Sequence, residues 1–153
     1  MRVTFSDLEE EDDNPLNGSQ LSTGEEVLKL LESLKVREPF ICEFVAENGY
    51  QLTMGIGGAW AYAEFSRSDG EPPYFEAVSP SRPKEIPGSY GRHYQAAIQA
   101  DRQSGTVSPE FMCGGTPTPI PTRYILPYAR AREIAIYFVE TGQRDPDIHW
   151  EAI

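Results

Sequence analysis

The chain offers little from which to build a catalytic or metal centre. Cysteine and histidine each occur twice in 153 residues, too few for a disulfide framework. Neither His93 nor His149 has a partner at the spacing of a helical or cysteine-based ligand pair, so no metal and no other cofactor is expected. Gly55, Gly57 and Gly58 are not followed by the Lys-Ser/Thr of a phosphate loop, nor by a helix start that would face an anion. A serine in a glycine-flanked elbow is also missing. No apolar stretch approaches a membrane span, and the first residues are acidic where a secretory signal would be basic and then apolar, so a cytoplasmic protein is expected. Positive charge is scarce as well: 13 Lys and Arg stand against 24 Asp and Glu, a net charge of −11. Such a surface repels nucleic-acid backbones and anionic lipid, and it suits a basic protein partner.

What is present reads as one domain, with a lead-in. Residues 1–22 carry an acidic run, Asp7 and Glu9 to Asp13, among Asn, Gly and Ser, and are expected to be a flexible segment before order begins at Thr23. Residues 23–153 form the expected single α+β domain. Thr23 or Gly24 caps a helix from Glu25 to about Lys35 whose apolar face is Val27, Leu28, Leu31 and Leu34. From Phe40 to Phe65 the period is two, with Asn48-Gly49 and Gly57-Gly58 as tight turns, which predicts a three-stranded antiparallel meander. Tyr74 to Val78 supplies a fourth strand, and Glu110 to Cys113 a further one. Residues 79–109 read as a long proline-containing loop with a short helix at Tyr94 to Arg102 inside it, and Thr116 to Pro121 as an extended connection. Pro127 starts a terminal helix that Gly142 stops, after which a tail returns Trp150 to the body. The expected fold is thus an antiparallel meander sheet of about four or five strands packed against an N-terminal and a C-terminal helix.

Chemistry has several candidate seats. Cys42 and Cys113 lie in apolar, strand-like contexts and read as structural thiols, while Cys113 before Gly114-Gly115, with His93 or His149 as base, would make a thiol enzyme. If the phenylalanine-rich side of the sheet packs on the helices, the outward side carries Glu43, Glu47, Gln51, Thr53, Trp60, Tyr62 and Glu64. Aromatic anchors ringed by acid suit a protein-binding surface. Equally, Trp60 and Tyr62 could lie under the long loop as core. Asp69, Glu71 and Glu76 add acid nearby, and Tyr74 a further aromatic.

The C-terminal stretch, with Pro127, Ala129-Arg130, Ala135, Phe138, Thr141-Gly142, Pro146 and Trp150 after Gly114-Gly115 and a proline-rich approach, resembles the ending of the immunity protein 1 family of bacterial polymorphic toxin systems. The strands with Leu52, Gly55, Gly57 and Tyr62 are similar to those that open that family's sheet, and the likeness spans about residues 25–153, departing most in 79–109. The resemblance implies a small α+β protein without enzymatic activity that binds a co-encoded toxin domain, often a nucleic-acid deaminase, as a 1:1 heterodimer and blocks its active site. The toxin-binding residues expected on this reading are Glu43, Glu47, Trp60, Tyr62, Glu64, Asp69, Glu71, Tyr74 and Glu76. An adaptor for a basic host protein and a small-ligand binding module are also compatible with this composition.

Overall fold

A computed structural model describes residues 1–8, 14–80 and 93–153. Its first helix, α1 (Gly24–Leu34), begins where the sequence puts it. The Glu26 amide donates to Thr23 Oγ1 at 3.2 Å and the Thr23 amide donates to Glu26 Oε1 at 3.1 Å, a reciprocal capping box that satisfies two otherwise orphaned donors. Val27, Leu30, Leu31 and Leu34 are buried, so Leu30 takes the place in the core that the periodicity gives to Leu28.

Three strands follow as a meander: β3 (Phe40–Ala46), β4 (Tyr50–Ile56) and β5 (Trp60–Arg67), paired antiparallel throughout. Gly49, at φ 89°, makes the first turn. Asn48 beside it does more than turn the chain, because its Nδ2 donates to the Gly142 carbonyl at 2.9 Å and ties the hairpin to the end of the terminal helix. Gly57 in the second turn has φ 143°, and a Cβ there would lie 2.4 Å from Pro39 Cα, so only glycine lets the two backbones approach.

The sheet is much wider than expected, with ten strands among the described residues in place of four or five. Its main path runs β10-β6-β5-β4-β3-β1-β2, where β1 is Val3–Asp7, β2 is Gln20–Leu21, β6 is Phe75–Ala77 and β10 is Trp150–Ala152. The expectation that order begins at Thr23 is corrected by β1: Val3 and Phe5 are fully buried while Thr4 and Ser6 alternate with them, and Phe5 packs on Phe44 at 5.4 Å between ring centroids. A strand that covers one sheet edge and buries two apolar side chains belongs to the body, whatever the acidic run beyond it. That run, Glu9 to Asp13, lies outside the described residues.

Thr116 to Pro121 is corrected too. Thr116–Pro119 forms β8, an antiparallel hairpin with β7 (Glu110–Cys113) turned by Gly114-Gly115. The Ile120 amide donates to the Pro109 carbonyl at 2.8 Å, so by alternation Pro117 and Pro119 turn the side without an N–H away from the ladder. An edge built this way cannot accept a further strand readily.

Helix α3 (Tyr128–Thr141) starts after Pro127 and ends at Gly142, whose φ is 70° and whose amide donates to Phe138 O. The tail then returns as expected: Trp150 Nε1 donates to Asp145 O at 3.0 Å, and β10 pairs with β6. Short β9 (Leu126–Pro127) pairs with the start of β5.

Two apolar clusters result, one on each side of the sheet. Helices α1 and α3 cover Phe5, Phe44, Leu52, Met54 and Phe65. On the opposite side Ile41, Tyr62 and Phe111 meet Ala97 of α2 (His93–Ser104), with Ile120, Tyr124 and Ile125. Helix α2 is longer than the short helix expected within the 79–109 stretch, of which residues 81–92 lie outside the described residues. Asp101 anchors it: its carboxylate accepts from Ser108 Oγ at 2.7 Å, the Thr122 amide at 2.8 Å and Thr122 Oγ1 at 2.5 Å. Tyr94 stacks on Tyr124 at 6.1 Å, which fixes the other end of α2 over the same face.

Candidate functional site

Strand register gathers acid into one row on the α2 side of the sheet. Glu43 pairs with Thr53, Thr53 with Glu64, Glu64 with Glu76, and Glu76 with Glu151. Residues directly opposite one another in antiparallel strands project to the same side, so four glutamates from β3, β5, β6 and β10 share one line across the sheet. Three of them are legible in the sequence. Glu151 is not, because a three-residue terminal strand carries too little alternation, although Trp150 facing the core implies that its neighbour faces the other side.

The row is graded from open to closed. Glu43 and Glu64 are partly exposed, whereas Glu76 is 2% exposed and Glu151 is buried. Glu151 is fully engaged: Arg123 Nη2 donates to its Oε2 at 2.5 Å, Arg123 Nε bridges both oxygens at 3.2 and 3.3 Å, and Tyr124 Oη donates to Oε1 at 2.5 Å. Arg123 and Tyr124 come from a 3₁₀ turn at Thr122–Tyr124. Among the described residues no cation is paired with Glu76, and its Oε2 lacks a hydrogen-bond partner. Burial, followed by the charge of Glu64 and then that of Glu151, pushes the Glu76 carboxyl well above the usual carboxylate range. Burial also raises Glu43. The phenol of Tyr94 is pushed up to about 12 by burial and by the Glu76 and Glu64 charges.

A stability effect follows from Glu76. A carboxyl that binds its proton more tightly folded than unfolded contributes stability that is complete below its ordinary value near 4.5 and is lost as pH rises through the raised folded value. Glu76→Gln, which keeps the shape of the protonated acid, is therefore expected to be more stable than the wild type above about pH 4.5 and to lack that part of the pH slope. Urea denaturation of both proteins across the acid to neutral range measures the difference; parallel curves would mean that Glu76 titrates normally.

The remaining expected contact residues separate into surface and interior. Trp60 is 56% exposed at the start of β5, opposite Pro127, and Val36 is exposed just past α1, whose Lys35 carbonyl accepts from the Gly58 amide. Tyr62 is corrected as a surface anchor: it is 5% exposed, its ring meets Phe111 at 5.6 Å, and the absence of a side chain on Gly55 makes room for both rings. Glu76 is likewise interior, so neither residue offers the surface contact expected of it. Glu47 is exposed but off the row, its Oε1 accepting from the Arg2 amide at 3.1 Å. Asp69 and Glu71 lie in the exposed β5–β6 turn, where Asp69 pairs with Arg67 and accepts from the Glu71 amide at 2.9 Å. Tyr74 is partly buried and donates to the Gly70 carbonyl.

The thiol-enzyme reading gains nothing from the geometry. Cys42 is fully buried, and burial pushes its thiol up, away from the reactive form. Cys113 sits at the end of β7 packed on the second cluster, and the His93 side chain lies outside the described residues. Among the described residues no group of three or more His, Cys, Asp or Glu is placed to hold a metal ion, and no helix is long and apolar enough to cross a membrane. No curated protein matches the chain. The family model of immunity protein Imm1 does match, over residues 17–152, so a sheet that lines up its acids on one face is that of a chain belonging to the Imm1 immunity protein family.

Proposed function

We propose that this protein is a non-enzymatic inhibitor that binds a cognate antibacterial toxin domain 1:1 in the cytoplasm and occludes its active site, and that the toxin is an enzyme acting on nucleic acid, such as a DNA or RNA deaminase. Family membership supports a toxin as partner. The observation that carries the finer reading is the acidic row, with Glu43 and Glu64 at its open part, in a chain of net charge −11. An enzyme that handles DNA or RNA presents a positive groove, and an acidic face occupies such a groove as its substrate would. In this reading Glu43, Glu47 and Glu64 meet the cationic groove, Trp60 supplies an apolar anchor beside it, and Asp69, Glu71 and Tyr74 extend the contact at the turn.

The test is co-expression with the toxic domain encoded beside this chain. Survival of the host, together with co-purification of a 1:1 complex, is the expected result. Killing by the toxin despite soluble, folded inhibitor would reject the reading.

A further inference from the structure

The strands at the other ends of the described sheet are closed by identifiable means. Pro117 and Pro119 line the outer side of β8, and β9 is two residues long and ends in Pro127. At the β2 end the Phe5 amide donates to the Ser19 carbonyl at 2.9 Å, so by alternation Gln20 turns its backbone outward. The next outward amide, that of Ser22, already donates to Glu26 Oε1 at 3.1 Å. Strand β10 has no such device. The Val78 amide donates to the His149 carbonyl at 2.9 Å and the Ile153 amide to the Tyr74 carbonyl at 3.0 Å, which sets His149, Glu151 and Ile153 as the residues bonded to the β6 side. The N–H and C=O of Trp150 and Ala152 therefore point away from the sheet. These four groups make no hydrogen bond among the described residues, both residues are partly exposed, and no proline interrupts the strand.

We propose that the open edge of β10 receives an extended segment of the toxin domain as an added strand, whose backbone exchanges hydrogen bonds with Trp150 and Ala152. This rests on the toxin-binding reading above and adds which backbone of the inhibitor is engaged and what conformation the toxin segment takes. The groups on the edge specify their occupant: two donors and two acceptors at alternate residues match another extended strand, whereas a helix has spent its backbone groups internally. Charge selects the toxin over a second copy, because two chains of net charge −11 repel each other and a partner with a positive groove is attracted. Position agrees with the acidic row. Glu64 pairs with Glu76 and Glu76 with Glu151, so a strand added beyond β10 lies three strand spacings from β5, about 14 Å from Glu64. One domain spans that distance, and edge and open acids then hold the same toxin.

Amide hydrogen exchange read by NMR, with the neighbouring toxin domain made inactive at its catalytic residue, tests the pairing directly. The Trp150 and Ala152 amides are expected to exchange at least about tenfold more slowly in the complex than in the free protein. Ala152→Pro supplies the second arm: the Ala152 amide takes no part in the β10–β6 ladder, so the substitution removes an outward donor and sets a ring in the path of the added strand while sparing the fold. Calorimetric titration is expected to show its affinity lowered at least about tenfold, with the Ile153 amide as protected as in the wild type. If the variant does not fold, exchange in the wild-type complex decides alone. Binding of the wild type without added protection at Trp150 and Ala152, or equal affinity of a folded Ala152→Pro, overturns the edge and leaves the immunity reading standing. Protection of these amides that grows with concentration in the free protein assigns the edge to a second copy and overturns the toxin as its occupant. Failure of the wild type to bind the toxin domain at all overturns the immunity reading, and the edge proposal falls with it.

Discussion

Glu151→Ala is expected to remove about 3–5 kcal/mol of folding stability, the usual penalty for breaking a buried ion pair. Its carboxylate is the common acceptor for Arg123 Nε and Nη2 and for Tyr124 Oη, and all three side chains are buried. Truncation takes this carboxylate from the guanidinium and the acceptor from the phenol, and both buried groups lose interactions that offset their desolvation. Small domains have roughly 5–15 kcal/mol in total, so the variant should be near the limit of folding. Replacing both charges, as in Arg123→Leu with Glu151→Leu, removes the stranded group and should recover much of the loss. Urea denaturation of the two single variants and the double one measures the cycle. A loss below about 1 kcal/mol in Glu151→Ala would mean the pair is solvated enough to be expendable. The effect would reach the candidate site, because β10 lies beside β6 and holds Glu76 in register.

Local signals account for the parts of the fold that are legible in the sequence. The capping box at Thr23 and Glu26, the period-two run from Phe40 to Phe65, Asn48-Gly49, and Pro127 with Gly142 each specify their element through neighbouring residues, and each element forms where the sequence puts it. What escapes depends on partners far along the chain. Val3-Thr4-Phe5-Ser6-Asp7 alternates cleanly, but the acids that follow it outweigh a five-residue pattern. Composition is an average over a segment, whereas burial is decided by the strand that lies alongside, here β3. Thr116 to Pro119 reads as a connection because prolines lack a donor; the antiparallel ladder asks for donors only at alternate residues, and the prolines occupy the others.

Contact residues are legible as a face and illegible as a surface. Alternation places Glu43, Trp60, Tyr62 and Glu64 on one side of the sheet, and the register sets Glu43 and Glu64 on either side of Thr53 in one row. Which of them are covered depends on α2, seated by Asp101 and Tyr94 through contacts with Thr122 and Tyr124. A helix whose own sequence is mostly polar gives little notice of where it docks. Tyr62 and Glu76 are therefore beneath cover while Trp60 is not.

Reversing the open acids, as Glu43→Lys, Glu47→Lys and Glu64→Lys together, is expected to slow association with the toxin domain by about 10- to 10³-fold at low salt and to flatten its salt dependence. These side chains are exposed or partly exposed, so the monomer should stay folded, which circular dichroism would verify. Steering acts before contact and belongs to the on-rate, while an apolar anchor acts after it and belongs to the off-rate. Trp60→Ala, at a site 56% exposed, should accordingly leave association nearly unchanged and speed dissociation. Surface plasmon resonance resolves both rates for both variants. If the charge variant changes only dissociation, the acids make short-range contacts and steer nothing; if neither variant changes either rate, the toxin docks on another face, and the acidic row serves the free protein alone.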